Sequence, residues 1–158
     1  MRQSVRKRPR SPKQPREFHS KKIEVDGIEF DSKTEAAYYK FLKKDPAVKD
    51  IEIQPKFQII PSYTVVCKRC GGSGKRTSPK TGNLINCSLC HGKQEREKAG
   101  AIYTADFKVT YIDGYEEIID VKGGPVTRDF PLRRKLLEKA IRQELVVVRL
   151  KGKEWVRE

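Results

Sequence analysis

Four cysteines in two C-x-x-C pairs, Cys67-Lys-Arg-Cys70 and Cys87-Ser-Leu-Cys90, do most to limit what this chain can fold into. Each pair sets two thiolates on one tight turn, and two such turns complete a tetrahedron of the kind that holds structural zinc. The spacing therefore predicts a small zinc-tied insertion over residues 67–98. Disulfides are the alternative, but no stretch reads as a secretion signal, so a reducing cytoplasm is expected and the thiols stay free. Four thiolates leave no open coordination position, which makes the expected zinc structural.

Setting aside that insertion and the first 22 residues leaves about a hundred residues, room for one modest core and no second catalytic domain. Lys and Arg number 35 against 21 Asp and Glu, giving a formal charge of +14 and a pI near 9.7. Such a chain is drawn to polyanions. Much of the excess sits in residues 1–22, where Arg2, Arg6, Lys7, Arg8, Arg10, Lys13, Arg16, Lys21 and Lys22 face the single acid Glu17. Pro9, Pro12 and Pro15 bar a long helix there, and little is available to bury. The segment reads as a flexible basic arm, with Arg6, Lys7, Arg8 and Arg10 as candidate DNA contacts made to phosphates whatever the base sequence. No apolar run approaches the ~20 residues of a membrane span.

Between arm and C terminus the pattern alternates strands and helices. Residues 23–30 read as a hairpin, and Ser32-Lys-Thr-Glu35 opens a helix as a capping box. Ala36, Ala37, Tyr38, Phe41 and Leu42 supply that helix's apolar face, and Pro46 ends it. A strand is expected over residues 51–60, a short one over 63–66, then the insertion, then a hairpin. A second helix is expected over residues 131–143 with Asp129 as N-cap. Its apolar side is Leu132, Leu136, Leu137, Ala140 and Ile141. Its basic side includes Arg133 and Arg134, candidate DNA contacts, with Asp129/Arg133 and Glu138/Arg142 spaced as ion pairs. The run 145–150 reads as a strand buried on both faces, and 151–158 as a tail. The fold class is α/β: a mixed central sheet flanked by helices, the main domain covering residues 23–150.

The hairpin carries the chemistry. Tyr103-Thr-Ala-Asp106-Phe leads through Asp113-Gly114 to Ile119-Asp120-Val-Lys122-Gly. Side chains alternate along a strand, so Asp120 and Lys122 share a face while Val121 points the other way. A two-residue turn would pair Asp106 with Val121 and separate the two acids. A three-residue loop with a bulge, centred on Asp113, sets Asp106 opposite Asp120, and this register is predicted. Two such carboxylates are hard oxygen ligands for Mg²⁺ or Mn²⁺, which can activate water against a phosphodiester.

A helical Glu, then a strand Asp, then Asp-x-Lys on the next strand resembles the PD-(D/E)XK nuclease superfamily and its restriction-endonuclease-like fold. Within it, Val25-Asp-Gly-Ile-Glu-Phe-Asp31-Ser-Lys-Thr-Glu35, Gln54-Pro-Lys-Phe and the two hairpin motifs resemble small phage-borne nucleases, whose layout archaeal-type Holliday junction resolvases share. The resemblance implies that Asp106, Asp120 and the Val121 carbonyl bind catalytic Mg²⁺. It further implies that Glu35 completes the metal shell directly or through water, and that Lys122 orients the attacking water or steadies transition-state charge. Branched DNA is then the expected substrate, a 5′-phosphate the product and a twofold homodimer the assembly, because symmetric cutting needs two sites. The insertion is similar to the cysteine-rich repeats of DnaJ-type chaperones, its first repeat matching C-x-x-C-x-G-x-G and its second keeping Gly92.

Other functions compete. A nuclease of this fold could act on DNA ends, single strands or duplex sites, since fold alone does not set the target. A non-enzymatic zinc-containing DNA-binding module would explain the charge and the cysteines, leaving the carboxylates to chance. An HNH-type nuclease is disfavoured, because His19 lies in the arm and His91 in a knuckle.

Overall fold

The computed structural model describes residues 22–158. Apart from Lys22, which pairs with Glu29, the arm, with Arg6, Lys7, Arg8 and Arg10, lies outside the described residues. β1 (Ile23–Val25) and β2 (Ile28–Phe30) form the expected hairpin. α1 (Lys33–Leu42) starts where the capping box places it: the Ser32 hydroxyl accepts the Glu35 N–H at 3.2 Å and donates to Glu35 Oε1 at 2.7 Å. Ala36, Tyr38, Tyr39 and Leu42 are buried, whereas Ala37 faces outward. Phe41 is also half-exposed, stacked on the Tyr38 ring at 5.7 Å, so the buried stripe is turned towards Tyr39 from the one expected.

Next come β3 (Val48–Ile53), β4 (Lys56–Ile60), β5 (Tyr63–Val66), β6 (Lys75–Thr77), β7 (Leu84–Asn86), β8 (Glu95–Lys98), β9 (Ala101–Thr104) and β10 (Phe107–Tyr111). These build one long antiparallel ribbon. β3 pairs with β10, β4 with β9 and β5 with β8, and β6 with β7 closes its far end. The single strand expected over 51–60 is therefore two. Gln54 takes a left-handed φ of 51°, and Pro55 has no N–H to offer the ladder, so the strand bends there. Register survives the bend, because the Gln54 N–H donates to the Asp106 carbonyl at 3.0 Å and the Ala105 N–H to the Pro55 carbonyl at 3.1 Å.

β11 (Glu116–Val121), α2 (Phe130–Ile141), β12 (Leu145–Lys151) and β13 (Glu154–Arg157) complete the chain. The central sheet has the order β13-β12-β11-β10-β3, with β11 and β12 parallel and the other pairs antiparallel. It is the expected mixed sheet. Its two faces are covered differently, as strand alternation requires. Phe107, Val109, Ile119 and Val121 pack with α1, while Ile118, Leu145 and Val147 pack with Leu137 of α2 and with β4 and β9. The first half of β12 is buried on both faces, as its apolar run implied, but Leu150 is exposed.

Residues 151–158 are not a tail, since β13 forms a sheet edge. There Trp155 packs edge-on against Tyr38 at 4.8 Å, and Arg157 pairs with the buried Glu117, which also accepts the Tyr111 hydroxyl at 2.7 Å. Their apolar and charged partners are far back in the sequence, which hid the strand.

Phe107 is fully buried between Phe30 and Tyr38, with ring centroids 6.2 and 5.9 Å away. Phe107→Ala is expected to cost about 3–5 kcal/mol through lost transfer energy and the cavity it leaves. Urea unfolding measures this, and a loss below about 1 kcal/mol would contradict the packing described.

Candidate active site

The hairpin turn decides which face the carboxylates take. Tyr111 and Tyr115 bracket a loop of three residues: the Tyr111 N–H donates to the Tyr115 carbonyl at 2.8 Å and the Gly114 N–H to the Tyr111 carbonyl at 3.0 Å. Gly114 supplies the left-handed φ of 87° that closes this loop into a bulge, and Asp113 Oδ1 fastens it by accepting the Tyr115 N–H at 2.9 Å. The ladder beyond pairs Phe107 with Ile119 and Lys108 with Ile118. That register sets Asp106 opposite Asp120, the arrangement expected from the sequence.

Both acids, with Lys122, line one cavity of about 340 Å³, whose walls include Tyr103, Phe130, Arg133 and the loop residues Pro125, Val126 and Thr127. Asp120 is buried, and its Oδ2 accepts both the Tyr103 hydroxyl at 3.0 Å and the Lys122 ammonium at 2.7 Å. Asp106 Oδ2 accepts the Val121 N–H at 2.6 Å. These bonds use Oδ2 of each carboxylate and leave Oδ1 of each. The Lys122 ammonium also sits 5.2 Å from the Phe130 ring centroid, and the Arg133 guanidinium lies 5.3 Å from that of Tyr103.

Two acids this close resist ionising together. Burial first, and then the Asp120 charge, push the Asp106 carboxyl up to about 8 against the pull of the Val121 N–H. A cation between the two would remove that cost, so the donor set fits a hard divalent ion. Without one, the folded protein holds the Asp106 proton up to about pH 8, while the unfolded chain releases it near 3.8. The stability this proton contributes is complete below the lower value and is lost as pH rises through the upper one. In Mg²⁺-free buffer, Asp106→Asn should therefore become progressively more stable relative to the native protein as pH rises from 4 to 9. Parallel urea midpoints across that range would show that the two carboxylates do not repel.

Glu35, expected to complete the metal shell directly or through water, does not close a three-ligand cluster with the two acids. Among the described residues, the cysteines alone bring three or more ligand atoms within 4.8 Å of one another. Glu35 stays bonded to Ser32, half-buried, with its carboxyl pushed up by burial and, more weakly, by Asp31; Lys122 pulls it back down. It does belong to the neighbourhood, since its charge acts on Asp106. Gly123 lets α1 approach so closely, because a Cβ there would meet Thr34 Oγ1 at 2.9 Å.

Arg133 and Arg134 part company. Arg133 lines the cavity and sits 4.0 Å from Asp129, the spaced pair expected. Arg134 instead turns inward, its Nε donating to Glu138 Oε1 at 2.8 Å and its terminal nitrogen to the Leu145 carbonyl at 3.0 Å. Glu138 also accepts the Leu145 N–H at 3.2 Å, so Arg134 ties α2 to β12, its guanidinium engaged within the fold. Glu138 thereby takes Arg134 in place of Arg142, which closes the helix in a left-handed conformation. Leu132 and Ala140, expected inside, are exposed. Asp129 precedes the helix but makes no side-chain cap bond. Sequence reasoning overlooked Tyr103 and Phe130 as site residues, although each flanks a carboxylate motif or opens the helix after one.

Cys67, Cys70, Cys87 and Cys90 converge as expected into a set that can hold a metal such as zinc. Their sulfurs lie 3.8 Å apart for Cys67 and Cys87 and 3.7 Å for Cys70 and Cys90, with no disulfide among them. A tetrahedron with metal–sulfur bonds of about 2.3 Å has edges of about 3.8 Å, so the thiols are spaced for such an ion. The knuckles repeat each other: the Gly71 N–H donates to the Cys67 carbonyl at 2.8 Å and the His91 N–H to the Cys87 carbonyl at 2.7 Å. His91 and Gln94 occupy the left-handed places that Gly71 and Gly74 fill in the first knuckle. His91 is thus a turn residue outside the thiol set.

Residues 16–154 match the family described as "Protein of unknown function (DUF1064)". No curated protein and no solved structure matches the chain. Among the described residues, no helix is long and apolar enough to cross a membrane.

Proposed function

Because the chain belongs to the DUF1064 family, whose description leaves activity open, we propose that this architecture is of the restriction-endonuclease-like, PD-(D/E)XK type and that the chain is a metal-dependent DNA endonuclease. One observation carries the reading: Asp106 stands opposite Asp120 on one face, and both line a single cavity with Lys122. Chance placement of exposed strand charges does not explain a carboxylate as buried as Asp120.

Asp106 and Asp120 would hold Mg²⁺ or Mn²⁺ through their remaining oxygens, the Val121 carbonyl adding a further ligand and Glu35 acting through water. The ion would supply an activated water and neutralise phosphoryl charge. Tyr103 fixes Asp120 in place through its hydroxyl. Lys122, held beside Asp120 and over Phe130, presents its ammonium to the attacking water or to a phosphate oxygen. Arg133 adds a second cation on the α2 wall, suited to orienting the DNA backbone. The cysteine set holds structural zinc.

The substrate proposed is branched DNA such as a Holliday junction, cut by a twofold homodimer in the cytoplasm, with the basic arm adding phosphate contacts. The purified chain, incubated with a four-way junction, a Y-fork, linear duplex and single strand, each with Mg²⁺ or without it, tests this. Mg²⁺-dependent cutting with preference for the junction is the expected result. Cutting of ends, single strands or plain duplex instead would keep the nuclease and replace the substrate. Absence of cutting on every substrate would end the reading.

A further inference from the structure

The nuclease site leaves the cysteine module without a task, and three observations there point the same way. The first is charge: residues 67–98 carry Lys68, Arg69, Lys75, Arg76, Lys80, Lys93, Arg96 and Lys98 against Glu95 and Glu97. Among the described residues none of these cations joins an ion pair. The second is shape. Arg69, Arg76, Thr77, Asn86 and Ser88 surround a cleft of about 180 Å³, with Arg69 donating to the Ser88 hydroxyl at 2.9 Å. Two guanidinium groups beside hydroxyls and an amide suit a phosphodiester oxygen. The third is apolar exposure: Leu84 and Ile85 on β7 are 73% and 47% exposed, and apolar side chains flanked by cations are what DNA-distorting proteins set against base steps.

Topology adds a distance. The module is the far end of the ribbon in which Asp106 sits at the first bend, and the ladder persists to the Cys67 N–H, which donates to the Gln94 carbonyl at 2.9 Å. The strand from Gln94 back to Asp106 spans at most roughly 40 Å at about 3.3 Å per residue. One turn of B-DNA is about 34–36 Å.

We propose that the cysteine module is a second clamp on the DNA backbone, in which Arg69 and Arg76 seat a phosphate about one helical turn from the bond cut at the carboxylate site. This rests on the nuclease reading for the cut but not for the binding. The module stands clear of the sheet, so its cations can reach only DNA that extends well past the cut.

Binding is measured by fluorescence anisotropy with Ca²⁺ in place of Mg²⁺, on junctions with arms of about 20 and about 6 base pairs. The native chain should prefer the long arms by about tenfold or more, since each phosphate contact adds affinity whatever the sequence. In Arg69→Ala/Arg76→Ala that preference should collapse towards one, and the slope of log affinity against log salt on long arms should become shallower by about 0.9, the share of one phosphate. Zinc content and melting temperature should match the native protein, and Arg69→Lys/Arg76→Lys should restore part of the preference. An unchanged preference and salt slope in the alanine variant overturns the clamp while leaving native cutting in place. A native chain that binds long arms but cuts nothing with Mg²⁺ sinks the nuclease reading, and the arm-length ratio still decides the clamp. A native chain that binds no DNA overturns both.

Discussion

Lys122→Ala is expected to lower Mg²⁺-dependent cleavage by about 10²–10³-fold or more while leaving DNA binding in Ca²⁺ nearly intact. Lys122 holds its ammonium 2.7 Å from Asp120 Oδ2 in the half-open cavity that both acids line. A fixed charge aimed at developing negative charge in such a site contributes on the order of 3–4 kcal/mol to transition-state stabilisation. Asp120→Asn should be at least as severe, because it removes the carboxylate charge that would hold the metal and that pairs with Lys122. Single-turnover cleavage of a labelled junction measures both. Full cleavage by the alanine variant would remove Lys122 from the chemistry and favour an RNase-H-like scheme that relies on acids alone. Lost cleavage with retained binding would instead count against a purely DNA-binding module, which has no use for a lysine at that position.

Cys87→Ser should release the bound metal and unfold the module while the central sheet persists. The buried cluster there consists of Cys67, Cys87 and Cys90, with Cys70 and Leu89 packed against it, and shares no residue with the two clusters of the main core. β6 and β7 are exposed along their whole length, so little apolar burial remains to hold residues 67–94 once the ion is gone. Structural zinc contributes on the order of 10–16 kcal/mol in small modules of this kind. Metal analysis should show one zinc per native chain and almost none in the variant. Hydrogen exchange should show lost protection at Cys67, Gly71, Cys87 and His91, whose N–H groups bond within the module or to its flank, and retained protection at Val109 and Ile119. Normal zinc content in the variant, or unfolding of the whole chain, would contradict this separation.

Much of the site was legible because its signals are local. The cysteine spacing needs only two short turns, and the register of Asp106 against Asp120 follows from Asp113-Gly114 and the demand that both acids face one way. The capping box at Ser32 was readable for the same reason. The errors share one cause: partners distant in sequence. Helix periodicity placed Leu132 inside, but the rotation of α2 is set by β4 and β12, which bury Leu137 and Arg134's pair with Glu138. The strand over 51–60 read as one because a left-handed Gln54 carries no warning in composition. The final strand was missed because Trp155 and Arg157 are explained only by Tyr38 and Glu117.

By itself, then, the sequence determined the chemistry on offer: four thiols spaced for one ion, two acids and a lysine on one face of a hairpin, and an excess of positive charge. Alternation and turn geometry act over a few residues, so no knowledge of the rest of the chain is needed to read them. Tertiary structure alone decided which of these groups meet. It brought Arg133, Phe130 and Tyr103 around the acids, kept Glu35 on its own helix cap, turned Arg134 inward and set the cysteine module at the end of a bent ribbon. Those outcomes come from how layers pack and where a strand bends, energies summed over contacts between segments far apart in the chain.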